Sequence, residues 1–487
     1  MIAAVTVSLL AVAGFALALW QLRVVAVART VPATTMSGLA AMTSREMDDD
    51  AKEIAVRRAG LALIAAAFGL SWRFAAALAA AALPILLADA AGLVAFDRVI
   101  ALMLRWDYIL AVTLAAVALS ALAGRLRAPA TAGTLGPNRY STADRAFHML
   151  AFSGPAVLRA ASALEDRLIG APVAPAAPPI FITGLARGGT TALLNAFHDI
   201  PGIATHTYRD MPFLTAPTLW NRLAGGRRRG VARQERAHGD GIEIDLDAPE
   251  AFEEVIWKMF WPEKFTGQTI APWDAGDLKP AAERFLAHHM AKVIRARGAD
   301  AARYCSKNNA NIARLACLAQ AFPAGRAVVP LRRPDCHAAS LLRQHENFLK
   351  LQAADDFIRR YMADIGHFEF GLIHKPIAFA GFDPDRYDPA GADYWLHYWV
   401  QAHRAIAAEA ERCLFVLQDD LRAAPEATMQ ALCAALDVTP GPVPFATYFR
   451  AGPDRAAREA FDPALLAEAD DLYRTLAARS PLAGQHR

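Results

Sequence analysis

The chain has 487 residues, enough for one large domain with an accessory region or for two domains. Hydrophobic residues make up 55% of it and its mean hydropathy is positive, both high for a soluble enzyme. A net charge of +3 with no basic stripe among aromatics gives no nucleic-acid signature, and five cysteines without a C-x-x-C pair fit reduced thiols better than a disulfide framework or a zinc site.

The apolar excess lies at the front. Ile2–Trp20 is almost wholly apolar and uncharged, close to the ~20 residues of a spanning helix. A secretory signal is the rival reading, but no basic residue precedes the run and further apolar segments follow it, which favours a retained anchor. Ala59–Val94 is a second apolar stretch, interrupted by Arg73 and Asp89. It reads as one long tilted span, or as an interfacial helix followed by a span from about Phe74, with Arg73 snorkelling in either case. Tyr108–Ala123 is a third stretch, ending at Arg125 and Arg127. Residues 1–127 are therefore expected to form a membrane region with about three transmembrane helices. Arg23, Arg29, Arg45, Lys52, Arg57 and Arg58 fill the first loop, Arg98 and Arg105 the next, and Arg125, Arg127 and Arg139 follow the third span. The positive-inside rule then puts the first loop and everything after Gly124 in the cytoplasm. The expectation is an integral protein of the cytoplasmic membrane with a cytoplasmic catalytic domain.

Residues 128–178 read as a linker and an amphipathic helix. Ala128–Asn138 is small and Gly/Pro-containing, and Ser141–Leu168 has helical spacing with Phe147, Leu150, Val157 and Leu164 apolar. That helix either lies along the membrane or packs on the globular domain. Gly170–Pro179 is an Ala/Pro-rich tether. Over 179–487, strand-like runs at Ile180–Thr183, Ala302–Ser306, Ala327–Leu331 and Leu414–Gln418 alternate with helical patterns at Thr191–Phe197, Ile312–Ala321, from about Asp335, and Pro425–Leu436. This predicts an α/β domain, a three-layer, P-loop-like parallel sheet covered by helices. Gly225–Gly230 encloses Arg227-Arg228-Arg229 and reads as a loop, either a solvated charge cluster or a contact for anionic lipid or an acidic acceptor.

The first strand ends in Thr183-Gly184-Leu185-Ala186-Arg187-Gly188-Gly189-Thr190-Thr191. A strand, a tight loop and a helix start aim backbone N–H groups and a helix dipole at one spot, which suits a phosphate. The spacing matches the P-loop pattern except that Thr190 stands where the lysine belongs. That lysine reaches the β- and γ-phosphates of a nucleoside triphosphate, so its absence argues against ATP or GTP. Later, Arg332 ends a strand, Pro334 starts a turn and Ser340 lies about two turns into the next helix. Together an arginine fork and a hydroxyl can grip a second phosphate from two sides.

With these two segments the sequence resembles the sulfotransferases that use 3′-phosphoadenosine 5′-phosphosulfate (PAPS), over roughly Pro179 to Tyr473. In that family a strand–loop–helix ending in Gly-Thr-Thr binds the 5′-phosphosulfate, and a later Arg-x-Pro-x5-Ser binds the 3′-phosphate. Gly184, Arg187, Gly188, Gly189, Thr190 and Thr191 match the first motif, with Gly188 where Ser is common. Arg332, Pro334 and Ser340 match the second, and Gln418–Glu426 looks like the family's late strand-to-helix junction. Lys307 in Cys305-Ser306-Lys307-Asn308-Asn309 occupies the place of a lysine that, in the tyrosylprotein branch, points at the transferring group.

The resemblance implies PAPS as donor, no metal, and a hydroxyl-bearing acceptor. The apolar front adds membrane lipids as partners and suggests a lipid, a saccharide or another membrane-associated alcohol. Arg187 and Lys307 would hold the bridging oxygen. Related branches carry a basic glutamate after the Pro that follows the loop's helix; here the stretch after Pro201 offers none, so Asp210 is the first choice of base and His206 the second. Asp210 has an alternative structural role in a pair with Arg209. Glu253 and Glu254 beside Trp257, and His238-Gly239-Asp240, are further acceptor-wall candidates. Two other classes stay open: a P-loop kinase or NTPase, and a non-catalytic nucleotide-binding membrane module.

Overall fold

The computed structural model describes residues 2–22, 24, 49–109, 112, 142–175, 177–224, 234–235, 243–244, 247–298, 301–449, 457 and 459–480. Its contacts divide the chain into two compact units, residues 1–132 and 133–487.

In the first unit, predominantly apolar sequence gives two long helices, α1 (Ile2–Gln21) and α2 (Asp49–Ala90), followed by α3 (Phe96–Met103). Ala4, Val7 and Ala11 share a buried cluster with Ile85 and Ala88, while Phe15 meets Phe74 edge-on, so α1 and α2 run antiparallel. The second apolar stretch is thus one continuous helix as far as Ala90, with Pro84 within it. Arg73 does not interrupt this helix, because its guanidinium donates to the carbonyls of Leu22 and Gly69 at 3.0 and 2.8 Å. Among the described residues, Arg57–Ala90 is the one helix long and apolar enough to cross a membrane, by length and composition; Ala3–Leu19 is a shorter apolar helix. Most of the third apolar stretch, and the basic residues Arg23, Arg29, Arg45, Arg125, Arg127 and Arg139, lie outside the described residues.

The second unit begins with α4 (Thr142–Ala151) and α5 (Pro155–Ile169). The expected single amphipathic helix is broken at Gly154-Pro155, since proline suits the first turn of a new helix and not an interior. Both helices are fastened to the globular domain: His148 contacts Asp364 at 3.0 Å, Glu165 pairs with Arg295 at 2.6 Å, and the buried Lys292 reaches Asp166 at 2.9 Å. Packing on the domain is therefore what the structure shows for this segment.

Ile180, Phe181 and Ile182 are all buried, as a central strand of a parallel sheet requires. This strand, β1 (Ile180–Ile182), feeds α6 (Thr190–His198) and the two-residue β2 (Ile203–Ala204). There follow α7 (Pro217–Ala224), a small ribbon of β3 (Gln234–Glu235) and β4 (Glu243–Ile244), α8 (Glu254–Phe260) and α9 (Pro280–Arg297). The remaining sheet strands are β5 (Arg303–Lys307), β6 (Arg326–Leu331) and β7 (Cys413–Leu417), with α10 (Leu315–Ala321), α11 (Pro334–Ala354), α12 (Asp356–Ile365) and α13 (Ala392–Ala408) between them. After β7 come α14 (Gln418–Ala423), α15 (Pro425–Ala435) and α16 (Pro463–Ala477).

The sheet order is β2-β5-β1-β6-β7 and every pairing is parallel. Alternate residues feed opposite cores. Ile180, Ile182, Cys305, Val328 and Val416 join the cluster beneath α6 and α15, whereas Phe181, Tyr304, Val329 and Phe415 join the larger one beneath α9, α11 and α13. Helices thus cover both faces in three layers, as the sequence pattern predicts. Most strand ends shift by a single residue, and two differences bear on the site. Lys307 is the last residue of β5, not the first beyond it, and a 3-10 turn at Asn309–Ala313 precedes α10, started by the Asn308 side chain accepting from the Ala310 N–H at 3.0 Å. The Gly225–Gly230 loop and His238-Gly239-Asp240 lie outside the described residues.

Candidate active site

β1 delivers the chain to the C-terminal edge of the sheet, where Gly184–Gly189 turns it back into α6. Gly189 has φ of +104°, a conformation that a side chain resists, and Arg187 adopts φ of +69° without being glycine. A strained residue of this kind marks a loop whose shape is imposed from outside. Much of that imposition comes from His337 on α11. Its Nε2–H donates to the Ala186 carbonyl at 2.8 Å, and its Nδ1 accepts from the Trp399 indole N–H at 3.1 Å, which fixes a neutral tautomer. Burial, reinforced by the nearby Arg332, holds the imidazole well below its ordinary pKa. The ring sits so close that a Cβ on residue 188 would lie 3.0 Å from His337 Cε1, which accounts for glycine at this position.

The loop opens toward the first turn of α6, whose leading N–H groups have no intrahelical acceptor. Thr190, 2% exposed, donates its hydroxyl to Asn309 Oδ1 at 3.1 Å, and Asn309 donates in turn to Glu369 at 3.1 Å. Arg332 leaves β6 and donates to the Arg187 carbonyl at 3.0 Å; the Arg187 side chain donates through Nε to Ser340 Oγ at 3.3 Å. Arg187, Arg332 and Ser340 are thus brought together beside the loop, the two motifs forming one surface.

Lys307 stands on the other flank, in register with Ile182 at the end of the neighbouring strand. Its Nζ lies 3.9 Å from Glu250 Oε1, both side chains being almost fully buried. Glu250 is held from several directions. It accepts from the Tyr208 hydroxyl at 2.5 Å and from the Ala251 N–H at 2.7 Å, while its own N–H donates to the His206 carbonyl. Those bonds, with an antiparallel bridge between Thr207 and Pro249, clamp the 248–250 segment to the stretch after Pro201. Sequence reasoning missed Glu250, and no motif spacing pointed to it.

Asp210 and His206 occupy a separate buried network. Asp210 contacts His206 Nδ1 at 3.0 Å, the Thr207 N–H at 3.1 Å and the Arg297 guanidinium. Burial alone would raise this carboxyl, yet Arg297, His206 and the Thr207 N–H outweigh it and hold the pKa well below the usual range. Arg209 pairs with Asp247 at 2.6 Å instead. His206 Nε2 lies 2.8 Å from His289 Nε2, and burial keeps His289 well below its ordinary pKa. Glu253 and Glu254 are buried supports: Glu253 accepts from Tyr304 at 3.0 Å and Asn311 at 3.2 Å, and Glu254 accepts from Asn308 at 2.7 Å and pairs with Arg314.

The residues directly after the five sheet strands are Thr183, Thr205, Asn308, Arg332 and Gln418. None is the strand-terminal aspartate that a P-loop NTPase uses toward magnesium, and Thr190 replaces the loop lysine.

Residues 178–440, more than half of the chain, match the model of the sulfotransferase family. The chain belongs to that family. The match contains both phosphate-directed segments, Lys307 and the Gln418–Glu426 junction, and it begins beyond the apolar front. This sulfotransferase has no match among curated proteins. Solved structures that align with it include three sulfotransferases. Sulfotransferase STF9 from Mycobacterium avium is 13% identical, with 71% of this chain and 79% of that one covered and a TM-score of 0.34. Sulfotransferase STF1 from Mycobacterium tuberculosis is 15% identical, with 66% and 88% covered and a TM-score of 0.31. The sulfotransferase domain from the Synechococcus PCC 7002 olefin synthase is 14% identical, with 62% and 95% covered and a TM-score of 0.25.

Proposed function

We propose that this sulfotransferase moves a sulfuryl group in line from PAPS, the family's usual donor, to the hydroxyl of a membrane-associated lipid, saccharide or other alcohol, without invoking a metal. The observation that carries this reading is the convergence of Gly184–Thr191, Arg332 and Ser340 on one side with Lys307 and Glu250 on the other. The cradle suits a 5′-phosphosulfate because Gly189, at φ of +104°, turns the backbone into α6, whose N-terminus supplies N–H donors. Arg332 and Ser340 suit the 3′-phosphate, with Arg187 joining the two halves.

In this mechanism Glu250 receives the proton of the acceptor hydroxyl. A bond forms between that oxygen and sulfur as the bond from sulfur to the bridging oxygen breaks. Lys307 then faces the negative charge left on the departing phosphate, and the fixed donors of Gly189, Thr190 and Thr191 stabilise the charge as it develops. Support for membrane anchoring comes from Arg57–Ala90, and a cytoplasmic face would place the site where the donor is made available.

The test is transfer of radiolabel from PAPS by the full chain in detergent, using a panel of simple alcohols and phenols. Lys307→Met and Glu250→Gln should lose transfer while staying folded; full activity in both would refute the mechanism.

A further inference from the structure

A cleft opens beside the active-site loop, the space between its walls and out to solvent being about 590 Å³. Its lining contains Leu185 and Ala186 of the loop, Asn308 directly after Lys307, and Ala251 directly after Glu250. The cleft thus adjoins the segments that carry the proposed reaction centre, and Asn309 in its lining accepts from the Thr190 hydroxyl of the donor cradle at 3.1 Å.

The far walls have a different character. Phe368, Phe370, Trp395 and Tyr398 face the cleft, backed by Ile312 and Ile377, and all six are buried. Ionised groups in the lining are few and already engaged. Lys375 donates to the Phe265 carbonyl at 2.7 Å, and Glu369 accepts from Asn309, which also receives the Thr190 hydroxyl. A saccharide carries a hydroxyl on nearly every carbon, and those turned to these aromatic faces would lose their water without gaining a partner. A flat apolar ring gains dispersion and burial from the same faces.

The walls are also preformed. Ile377 donates to the Tyr398 hydroxyl at 3.1 Å, and the adjoining backbone pairs with Ile270 at 2.9 Å on both sides. Gln352 donates to the Phe370 carbonyl at 3.3 Å. These bonds fasten the segments of the aromatic wall to one another and to their supports, so the wall does not depend on an occupant to form.

We propose that this cleft seats the apolar, ring-bearing body of an alcohol or phenol whose hydroxyl is the sulfuryl acceptor. The inference rests on the proposed function and narrows its acceptor to a compact cyclic molecule that partitions into membranes. The Asn309 amide, bonded to Thr190 on one side and Glu369 on the other, links the donor cradle to the acceptor cleft. Bond making and breaking are those of the transfer already described, with the proton passing to Glu250.

The experiment is equilibrium dialysis of the full chain with 2-naphthol and, separately, N-acetylglucosamine, each in the presence of saturating adenosine 3′,5′-bisphosphate. Saturable binding of 2-naphthol is expected, with at least tenfold weaker affinity in Ile377→Trp, which fills the cleft, and in Phe370→Ala, which strips one wall. Retained binding of the bisphosphate reports that each variant is folded. Absence of 2-naphthol binding, an affinity unchanged in both variants, or equal binding of the sugar would overturn the assignment while leaving the donor site standing. Failure of the bisphosphate to bind strikes the functional reading instead; circular dichroism then reports folding, and the 2-naphthol affinities of the two variants still decide the cleft.

Discussion

The Lys307 ammonium lies 3.9 Å from the Glu250 carboxylate in surroundings that exclude most water from both. A cation and a proton acceptor at that separation match the two charges that sulfuryl transfer develops, one on the leaving oxygen and one on the acceptor hydroxyl. Glu250→Gln keeps the size and the hydrogen bond from Tyr208 but removes the base. Its kcat should fall by ~10²–10⁴-fold, with the affinity for adenosine 3′,5′-bisphosphate unchanged. Steady-state kinetics beside bisphosphate titration checks both halves; a wild-type kcat would remove Glu250 from the mechanism.

Asp210 should behave differently. Its carboxylate is fully buried against Arg297 and His206, and Asp210→Asn leaves Arg297 without its anion. Breaking a buried pair in this way costs about 3–5 kcal/mol. Urea unfolding should show that loss, while the folded fraction keeps a kcat within a few-fold of wild type. A variant of unchanged stability whose kcat collapses would instead make Asp210 the base.

What the sequence revealed and what it hid follow from the range of the interactions. The strand, loop and helix around Gly184–Thr191 and the Arg332, Pro334, Ser340 group are local patterns, so their positions were legible without a fold. Lys307 was legible only through the family resemblance, as a residue just after an expected strand; that it ends the strand paired with β1 emerges from the sheet. Glu250 was not, because a bridge between Thr207 and Pro249, some forty residues apart, puts it in place. Nor was β2 legible: two residues are too few for any periodicity. His337 lay inside a recognised segment, yet its effect on the loop depends on Trp399 of a distant helix.

Gly188 and His337 form a size-coupled pair. Gly188→Ser places a Cβ 3.0 Å from the ring, so it should weaken bisphosphate binding by distorting the loop. Adding His337→Ala to that variant opens the space and should recover part of the lost affinity, although His337→Ala alone removes the bond to Ala186. Four binding curves make a double-mutant cycle, and strictly additive losses would contradict the coupling.

Acid should loosen this region. Burial pushes His403, stacked on Trp399, down to about 4 from an ordinary 6.5, and holds His337 well below the same value. Below pH 6.5 the unfolded chain takes up protons that these folded rings refuse. Stability present above 6.5 is therefore lost as pH falls from there toward 4, at about 1.4 kcal/mol per pH unit for each ring. Urea midpoints should be level between pH 8 and 7 and decline below 6.5. His403→Phe should make that decline shallower; an unchanged slope would show that His403 is not among the groups responsible.

The central claim is that the lysine-less loop and the Arg332–Ser340 group form one donor site. Isothermal titration of the full chain with adenosine 3′,5′-bisphosphate tests it most directly. One saturable site is predicted, weakened at least tenfold by Arg332→Ala and by Ser340→Ala, with ATP failing to compete. Absence of binding, or an affinity unaffected by both substitutions, would contradict it.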